Sequence, residues 1–208
     1  MYLFGASGHA KVIVDILEQI GEEVKGIIDD NREVKEFMGR PVIHHIEKMS
    51  PIIIGIGMND LRKKVAERLA NTYDVVFGQA FHPTAVVSKY SKVGEGTVMM
   101  PYSVVQACCV VGKHNIINTG AVLEHECILE DYVHISPNAT LCGNVTVGEG
   151  SWIGSGATII QGVKIGRWCI IGAGSVVTKD IPDGFVAYGV PCHRVRNSDS
   201  DDHSKYNI

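Results

Sequence analysis

The chain has 208 residues, 45% of them hydrophobic, and is therefore long enough to bury a core in one large or two small domains. Its net charge of −4 provides no basic field that would attract nucleic acid. The opening sequence, MYLFGASGH, has neither a basic n-region nor an apolar run long enough for a signal peptide or a membrane span, which predicts a cytoplasmic protein.

The N-terminal residues predict a strand, a turn and a helix in succession. An apolar strand at residues 2–4 runs into a glycine-containing turn, and apolar residues at 10–20 then recur at helical spacing. Such a turn directs backbone N–H groups and the positive end of the helix dipole towards an anion. The candidate binding residues are Gly5, Ser7, Gly8 and His9. The turn lacks the full dinucleotide fingerprint, so a purely structural turn is the alternative.

A second predicted strand at residues 24–28 ends at Asp29 and Asp30. An acidic residue after the second strand of a Rossmann-like unit can contact the ribose or base of a nucleotide, and a plain turn is the alternative. We assign residues 1–82 to this α/β domain, because His82 precedes a proline and should be extended. Within it we expect Asn59 to cap a second helix and Arg62 to lie on a solvated helix face, with a structural or phosphate-proximal role as the alternative for Arg62.

From residue 87 to residue 177 every sixth residue is aliphatic or Met, and the residue four positions later is mostly small. Neither an amphipathic helix nor an ordinary strand keeps a six-residue period over this length. Hexapeptide repetition is typical of the parallel β-helix, in which three flat sides form a coil of eighteen residues around an apolar column. The repeated apolar positions are Val87, Val93, Met99, Val105, Val111, Ile117, Leu123, Leu129, Ile135, Leu141, Val147, Ile153, Ile159, Ile165, Ile171 and Val177.

The β-helix is predicted to span residues 83–196, and residues 197–208 read as a disordered polar tail. Three of the six cysteines, Cys109, Cys127 and Cys169, occupy the small-residue position. We therefore expect reduced core thiols, and no Cys/His spacing predicts a zinc site.

One cluster of polar residues does not serve the repeat. His125 is flanked by two acids, one of which is Glu126, and Gly143 follows His125 by eighteen residues, which places the glycine one coil above the imidazole. Acyl transfer requires a base that takes a proton from the attacking group and a backbone N–H that stabilises the oxyanion. His125 and Gly143 are candidates for these two roles, and His134 lies nearby in the sequence.

Five sequence pieces, GASGH, the aspartate pair, GIGxNxxRKK, NTxxxxEHE and GVPxxR, resemble the bacterial hexapeptide-repeat sugar acetyltransferases. That family includes the UDP-4-amino-sugar N-acetyltransferases of bacillosamine type and the sialic acid O-acetyltransferases, and the likeness runs from Tyr2 to about Arg196. The resemblance implies a left-handed parallel β-helix and acetyl-CoA as co-substrate. It also implies a homotrimer with active sites between subunits.

The same resemblance assigns roles to residues. It implies that His125 is the general base, that Glu126 orients it and that His134 contacts acetyl-CoA, beside Gly143. It further implies that Gly5, Ser7, Gly8 and His9 lie near the diphosphate of a nucleotide-sugar, with Asp29 and Asp30 near its uridine.

The leading hypothesis is acetyl transfer from acetyl-CoA to the amino group of a nucleotide-linked amino sugar, without a metal. The alternatives are O-acetylation of a sialic acid-like sugar and a non-catalytic β-helix protein that serves as a binding or scaffold protein. A γ-type carbonic anhydrase would need three metal-binding histidines, and His114, His125 and His134 lack the close pair expected there.

Overall fold

The computed structural model describes residues 1–45 and 49–197. The N-terminal region contains a five-stranded sheet in the order β3-β4-β2-β1-β5, with strands β4, β2, β1 and β5 parallel and β3 antiparallel to β4. Its elements are β1 (Tyr2–Phe4), α1 (Gly8–Gln19), β2 (Gly26–Ile28), β3 (Glu36–Phe37), β4 (Arg40–Ile43), β5 (Ile52–Ile54) and α2 (Asn59–Thr72).

Most of the apolar positions that predict α1 are buried, whereas Val12 and Ile20 are exposed. Ile13, Ile16 and Leu17 have no exposed surface, and they share a hydrophobic core with Leu3 of β1 and Ile53 of β5. Burial of side chains of this size contributes about 1.5–3 kcal/mol each. The helix is therefore fixed against the sheet, and its N-terminus stays at the carboxyl end of β1.

The rest of the chain forms a parallel β-helix in which strands eighteen residues apart pair in register, as Leu123 does with Val105 and Leu141. The remaining elements are β6 (Ala80–Phe81), β7 (Val86–Val87), β8 (Lys92–Val93), β9 (Val98–Met99), β10 (Val104–Val105), β11 (Val110–Val111), β12 (Ile116–Ile117), β13 (Val122–Leu123), β14 (Ile128–Leu129), β15 (His134–Ile135), β16 (Thr140–Leu141), β17 (Thr146–Val147), β18 (Trp152–Ile153), β19 (Thr158–Ile159), β20 (Lys164–Ile165), β21 (Ile170–Ile171), β22 (Val176–Val177), β23 (Phe185–Tyr188) and β24 (His193–Asn197).

Three sheets form the sides of the prism. Face A contains β7, β10, β13, β16, β19 and β22, and face B contains β8, β11, β14, β17 and β20. Face C contains β6, β9, β12, β15, β18, β21, β23 and β24. The chain passes from A to B to C in each coil, so an A–B, a B–C and a C–A corner recur every eighteen residues. The repeated aliphatic residues fill the interior, and Cys109, Cys127 and Cys169 are buried among them.

The predicted α/β domain followed by a parallel β-helix of hexapeptide repeats is confirmed. The backbone joins face C already at β6, which pairs with β9, and just before it Phe77 forms a single bridge with Ile52 of β5. The division at residue 82 stays a prediction. The predicted tail lies outside the described residues, except for Asn197 at the end of β24.

Two side chains of α2 fasten the N-terminal domain to the B–C corner. Asn59 donates from Nδ2 to the carbonyl oxygens of Gly150 (3.0 Å) and Ser151 (3.2 Å), so its predicted role as a side-chain helix cap is wrong. Arg62 is 1% exposed, and its predicted position on a solvated helix face is also wrong. A polar helix residue can be drawn inward when the neighbouring domain offers it hydrogen-bond acceptors.

His114 lies inside the same junction and is 3% exposed. Its ring stacks on Tyr132 with centroids 5.2 Å apart and meets Phe77 edge-on at 4.5 Å. Burial, reinforced by the charge of Arg62, lowers the pKa of His114 to about 4. The folded protein therefore holds a neutral imidazole over a pH range in which the unfolded chain binds a proton.

We expect the stabilising contribution of neutral His114 to be complete above about pH 6.5 and to be lost as the pH falls towards 4. Between these limits the slope approaches about 1.4 kcal/mol per pH unit. His114→Gln should remove this part of the acid sensitivity in urea unfolding measured from pH 7.5 to 4.5. The exposed His193 provides the control, because His193→Gln should leave the slope unchanged. An identical slope in the parent and His114→Gln would contradict the burial argument.

Candidate functional site

His125 and Glu126 lie at the A–B corner between β13 and β14, and both side chains are exposed. Nδ1 of His125 is 3.1 Å from Oε2 of Glu126, so the carboxylate fixes the ring orientation and leaves Nε2 free of this contact. The backbone of Glu126 has a φ of +63°, in the left-handed region. The same turn recurs one coil below at Cys108 and one coil above at Asn144, which shows that the corner geometry imposes it.

Gly143 lies against the imidazole, as the eighteen-residue spacing predicts. A Cβ at this position would be 2.5 Å from Cε1 and 2.6 Å from Nε2 of His125, so only glycine leaves room for the ring. The carbonyl of His125 accepts the N–H of Asn144 at 2.8 Å, which locks the two coils together. Within residues 1–45 and 49–197 the N–H of Gly143 donates no hydrogen bond. Its predicted use as an oxyanion donor stays a prediction.

A cavity of about 750 Å³ lies between the N-terminal domain and face C. It is larger than a second cavity on face C, and we call it the larger cavity. The predicted turn residues Gly5, Ser7, Gly8 and His9 line one side of it, and His134 lines the β-helix side. Gly5 has a φ of +105° and Gly8 faces open space, with no atom within 4 Å of a Cβ placed there. Ser7 precedes α1 without a side-chain capping bond, so the first helical N–H groups are available to an anion.

The two aspartates of the larger cavity have different surroundings. One carboxylate oxygen of Asp29 accepts a hydrogen bond from the N–H of Ala6, and the other accepts one from the N–H of Asn31, each at 2.8 Å. Asp29 therefore holds the turn in shape. Asp30 forms an ion pair with Arg68 at 2.7 Å. Both line the cavity, and their contact with a nucleotide stays a prediction. The hydrogen bonds of Asp29 also give it a structural task.

His134 begins β15 on face C and is 7% exposed. The N–H of Thr119 donates to Oδ1 of Asn118, so Nδ2 of Asn118 points at Nε2 of His134, 3.0 Å away. Nε2 therefore accepts, and the ring proton lies on Nδ1. Burial, and then the positive charge of Arg62, lowers the pKa of His134 well below its ordinary value and keeps the ring neutral.

His9 is the second neutral imidazole of the larger cavity. Burial lowers its pKa to about 4, with a smaller contribution from the charge of Arg62. Two neutral rings and an uncapped helix N-terminus make this cavity polar without adding a full positive charge. The predicted contact between His134 and acetyl-CoA is untested, and the structure places His134 beside the turn of the N-terminal domain.

Trp152 follows His134 by one coil and is a functional candidate that the sequence analysis missed. The two rings stack with centroids 5.1 Å apart, and the indole N–H donates to Oγ of Ser136 at 2.7 Å. Its position eighteen residues after His134 was the available signal, because in-register residues of neighbouring coils stack.

A smaller cavity of about 330 Å³ lies next to the C–A corner, and Trp152 lines it as well. Ser136, Gly154 and Gly172 line it one above another at eighteen-residue intervals, beside Ser155 and Ala173. Side chains this small leave a groove along the prism that a narrow, extended molecule can fill. The sequence analysis did not predict this groove, although the regular spacing of small residues at one corner indicated it.

The A–B corner that carries His125 and the face C cavities are on different parts of the prism. One chain therefore does not bring His125 to either cavity. Among the described residues, no three His, Cys, Asp or Glu side chains converge as metal ligands. Neither described helix is long and apolar enough to cross a bilayer.

Comparison with known proteins relates both parts of the chain to one group. Residues 1–69 match the PglD N-terminal domain, and residues 126–161 and 144–179 match the bacterial transferase hexapeptide. A mutant of perosamine N-acetyltransferase from Caulobacter crescentus, in complex with CoA and GDP-perosamine, has 36% identity and a TM-score of 0.90, over 94% of this chain and 96% of that chain. The acetyltransferase domain of PglB from Neisseria gonorrhoeae has 34% identity and a TM-score of 0.87, over 93% and 98%.

A curated relative, UDP-N-acetylbacillosamine N-acetyltransferase from Bacillus subtilis, is 41% identical over 108 residues. This match spans 47% of the chain and 50% of the relative. An uncharacterised mimivirus protein matches over 21% of its own length. The chain thus spans half or less of the curated relatives that it matches.

Proposed function

The chain belongs to the bacterial hexapeptide-repeat sugar acetyltransferases, and we propose that it transfers the acetyl group of acetyl-CoA to the amino group of a nucleotide-linked amino sugar. The observation that carries this proposal is the pairing of two cavities that meet at Trp152, one beside an uncapped helix N-terminus and one along the prism. Structures of the Caulobacter relative contain CoA and GDP-perosamine, a thiol cofactor and a nucleotide-sugar.

In the proposed complex the turn at Gly5 to His9 receives the diphosphate, because its free N–H groups and the dipole of α1 favour negative charge. The sugar then lies towards His134, and the pantetheine arm of acetyl-CoA follows the groove beside Gly154 and Gly172. This arrangement directs the amino group and the thioester towards each other.

His125 serves as the general base in the proposed reaction. The nitrogen of the amino group attacks the thioester carbonyl carbon as His125 takes one of its protons, so a C–N bond forms and the carbonyl oxygen becomes negative. The N–H of Gly143 is the proposed donor to this oxygen. The C–S bond then breaks, and the proton returns to the sulfur of CoA.

The proposal requires a second copy of the chain, because His125 and the cavities of one chain are apart. Exposed apolar side chains at Val86, Val110 and Ile128 lie on faces A and B, the two faces that flank the His125 corner. Burial of such residues against another prism favours association. A trimer would bring His125 of each chain to the groove of its neighbour.

We therefore expect sedimentation to report a trimer, with the apolar positions of faces A and B in the contact. Val110→Asp combined with Ile128→Asp should yield folded monomers that bind the nucleotide-sugar but lack turnover. Val195→Asp, which alters an exposed apolar residue on β24 of face C, is the matched control. A parent chain that is monomeric and fully active would contradict the shared site. Trimer formation and cytoplasmic location stay predictions.

Release of the CoA thiol, measured over a panel of acceptors, tests the reaction. The panel contains UDP-linked and GDP-linked amino sugars, their N-acetylated forms and a free sialic acid. Thiol release with the amino sugars alone supports N-acetylation. Release with the sialic acid alone identifies the O-acetyltransferase alternative, and no release with any acceptor supports the scaffold alternative.

In this proposal Asp29 shapes the N-terminal turn and Asp30 recognises the nucleotide-sugar. Variants separate these two roles. Asp30→Asn should raise KM for the nucleotide-sugar about tenfold, as expected for loss of a hydrogen bond to a charged group, with little change in KM for acetyl-CoA, since Asp30 does not line the groove. Asp29→Asn should raise this KM at least as much, because the amide keeps only one of the two oxygens that accept from the N–H groups of Ala6 and Asn31. Glu18→Gln, which alters an exposed acid on the same domain, is the control. Equal loss of affinity for both substrates would make the pair structural only.

A further inference from the structure

Trp152 is a lining residue of both cavities, which places its indole between the space beside the N-terminal turn and the groove along the prism. We propose that Trp152 is a specificity-determining residue that forms the shared wall between the two substrates and limits the transferred group to acetyl. This inference rests on the proposed function, since it assumes an acyl donor in one cavity and an amine in the other.

The indole is held in one orientation by contacts at two points. One face stacks on His134 at 5.1 Å with the ring planes 16° apart, and the N–H donates to Oγ of Ser136 at 2.7 Å. His134 is in turn bonded to Asn118 at 3.0 Å. Because each contact restricts a different rotation of the ring, the wall does not yield easily to a larger ligand.

The position of the wall has a consequence for the reacting atoms. An amine in the larger cavity and a thioester in the groove can meet only where the two spaces adjoin, and Trp152 is at that boundary. The carbonyl carbon must therefore lie beside the indole, and the carbon chain attached to it points along or into the ring. A methyl group fits such a position more easily than a longer chain, which would have to displace a fixed aromatic ring.

Tryptophan emission can test the wall through binding alone. The chain contains two tryptophans, so Trp168→Phe leaves Trp152 as the sole reporter. Emission of this variant should change on addition of CoA and, separately, on addition of GDP-perosamine or a UDP-4-amino sugar. Trp152→Phe, which keeps Trp168, is the matched control and should respond much less to both. A response of Trp152 to only one of the two ligand classes would overturn the shared wall.

Acyl selectivity tests the second half of the inference. Trp152→Ala should raise the ratio of kcat/KM for propionyl-CoA to that for acetyl-CoA by about tenfold or more, as one methylene commonly changes this ratio 10- to 200-fold. Trp152→Phe should keep the ratio within a few-fold of the parent, because most of the ring remains. A folded Trp152→Ala enzyme with the parental ratio would overturn the assignment. Failure of the parent to acetylate any acceptor would overturn the proposed function instead, and the emission titrations would still decide whether Trp152 separates two ligands.

Discussion

His125→Ala is expected to lower kcat by at least about 10²-fold while KM for acetyl-CoA changes little. The loss falls on the transition state, because the imidazole takes the proton of the attacking amine and contributes little to ground-state binding. Truncation also removes the ring that lies against Gly143, so the trimer and its thermal stability must be checked in the same preparation. Stopped-flow measurement of thiol release gives kcat directly.

Two further variants sharpen this result. Glu126→Ala should cost less than His125→Ala, because it removes the partner that orients Nδ1 at 3.1 Å and leaves the base in place. His193→Ala, at an exposed position on β24, should leave kcat unchanged. A folded, trimeric His125→Ala enzyme with kcat within a few-fold of the parent would remove His125 from the chemistry.

Arg62→Met is expected to destabilise the protein by about 3 kcal/mol or more. The guanidinium donates five hydrogen bonds, to the carbonyl oxygens of His114, Ile56, Gly57 and Tyr132 and to Oδ1 of Asn59, over 2.7–3.1 Å. Burial lowers its pKa to about 9, so the group remains charged at neutral pH. Methionine fills similar space but leaves these buried acceptors without a donor.

The same helix supplies the control for this experiment. The side chain of Lys64 is 75% exposed, and Lys64→Met should change the free energy of unfolding by less than about 0.5 kcal/mol. Arg62→Lys keeps the charge but has fewer N–H donors, all on one nitrogen. Its free energy of unfolding should therefore lie between those of the parent and Arg62→Met. Urea unfolding measures all three. An Arg62→Met protein within about 1 kcal/mol of the parent would show that water replaces the lost donors.

The period of six predicted the β-helix and much of its register, because interior positions of a prism permit only a few residue types. Because of that register, the sequence alone places Gly143 beside His125. The burial of Arg62 and Asn59 could not be predicted from a sequence pattern in the same way. Their burial depends on which side of α2 the β-helix covers, and helical periodicity within α2 carries no information about a distant surface.

Trp152 and the groove beside Gly154 could have been predicted from the sequence. The aromatic and small residues that form them lie at the eighteen-residue coil spacing, and residues at this spacing stack on neighbouring coils. Whether His125 meets a cavity could not be predicted from the coil spacing. One chain contains both, and the sequence of one chain does not state how copies of it are arranged.

Arg62 and Asn59 attach α2 to the main chain of the prism, whereas Lys63 of the same helix forms an ion pair with the side chain of Glu149. Arg62 and Asn59 reach carbonyl oxygens of His114, Tyr132, Gly150 and Ser151, atoms that any amino acid at those positions would present. Substitution of these four residues therefore keeps the acceptors of Arg62 and Asn59 in place, provided that the coil geometry survives, whereas substitution of Glu149 would remove the ion pair with Lys63. A chimera that carries a relative's first domain, with this arginine and asparagine, should dock on the present β-helix and transfer that domain's choice of nucleotide with it.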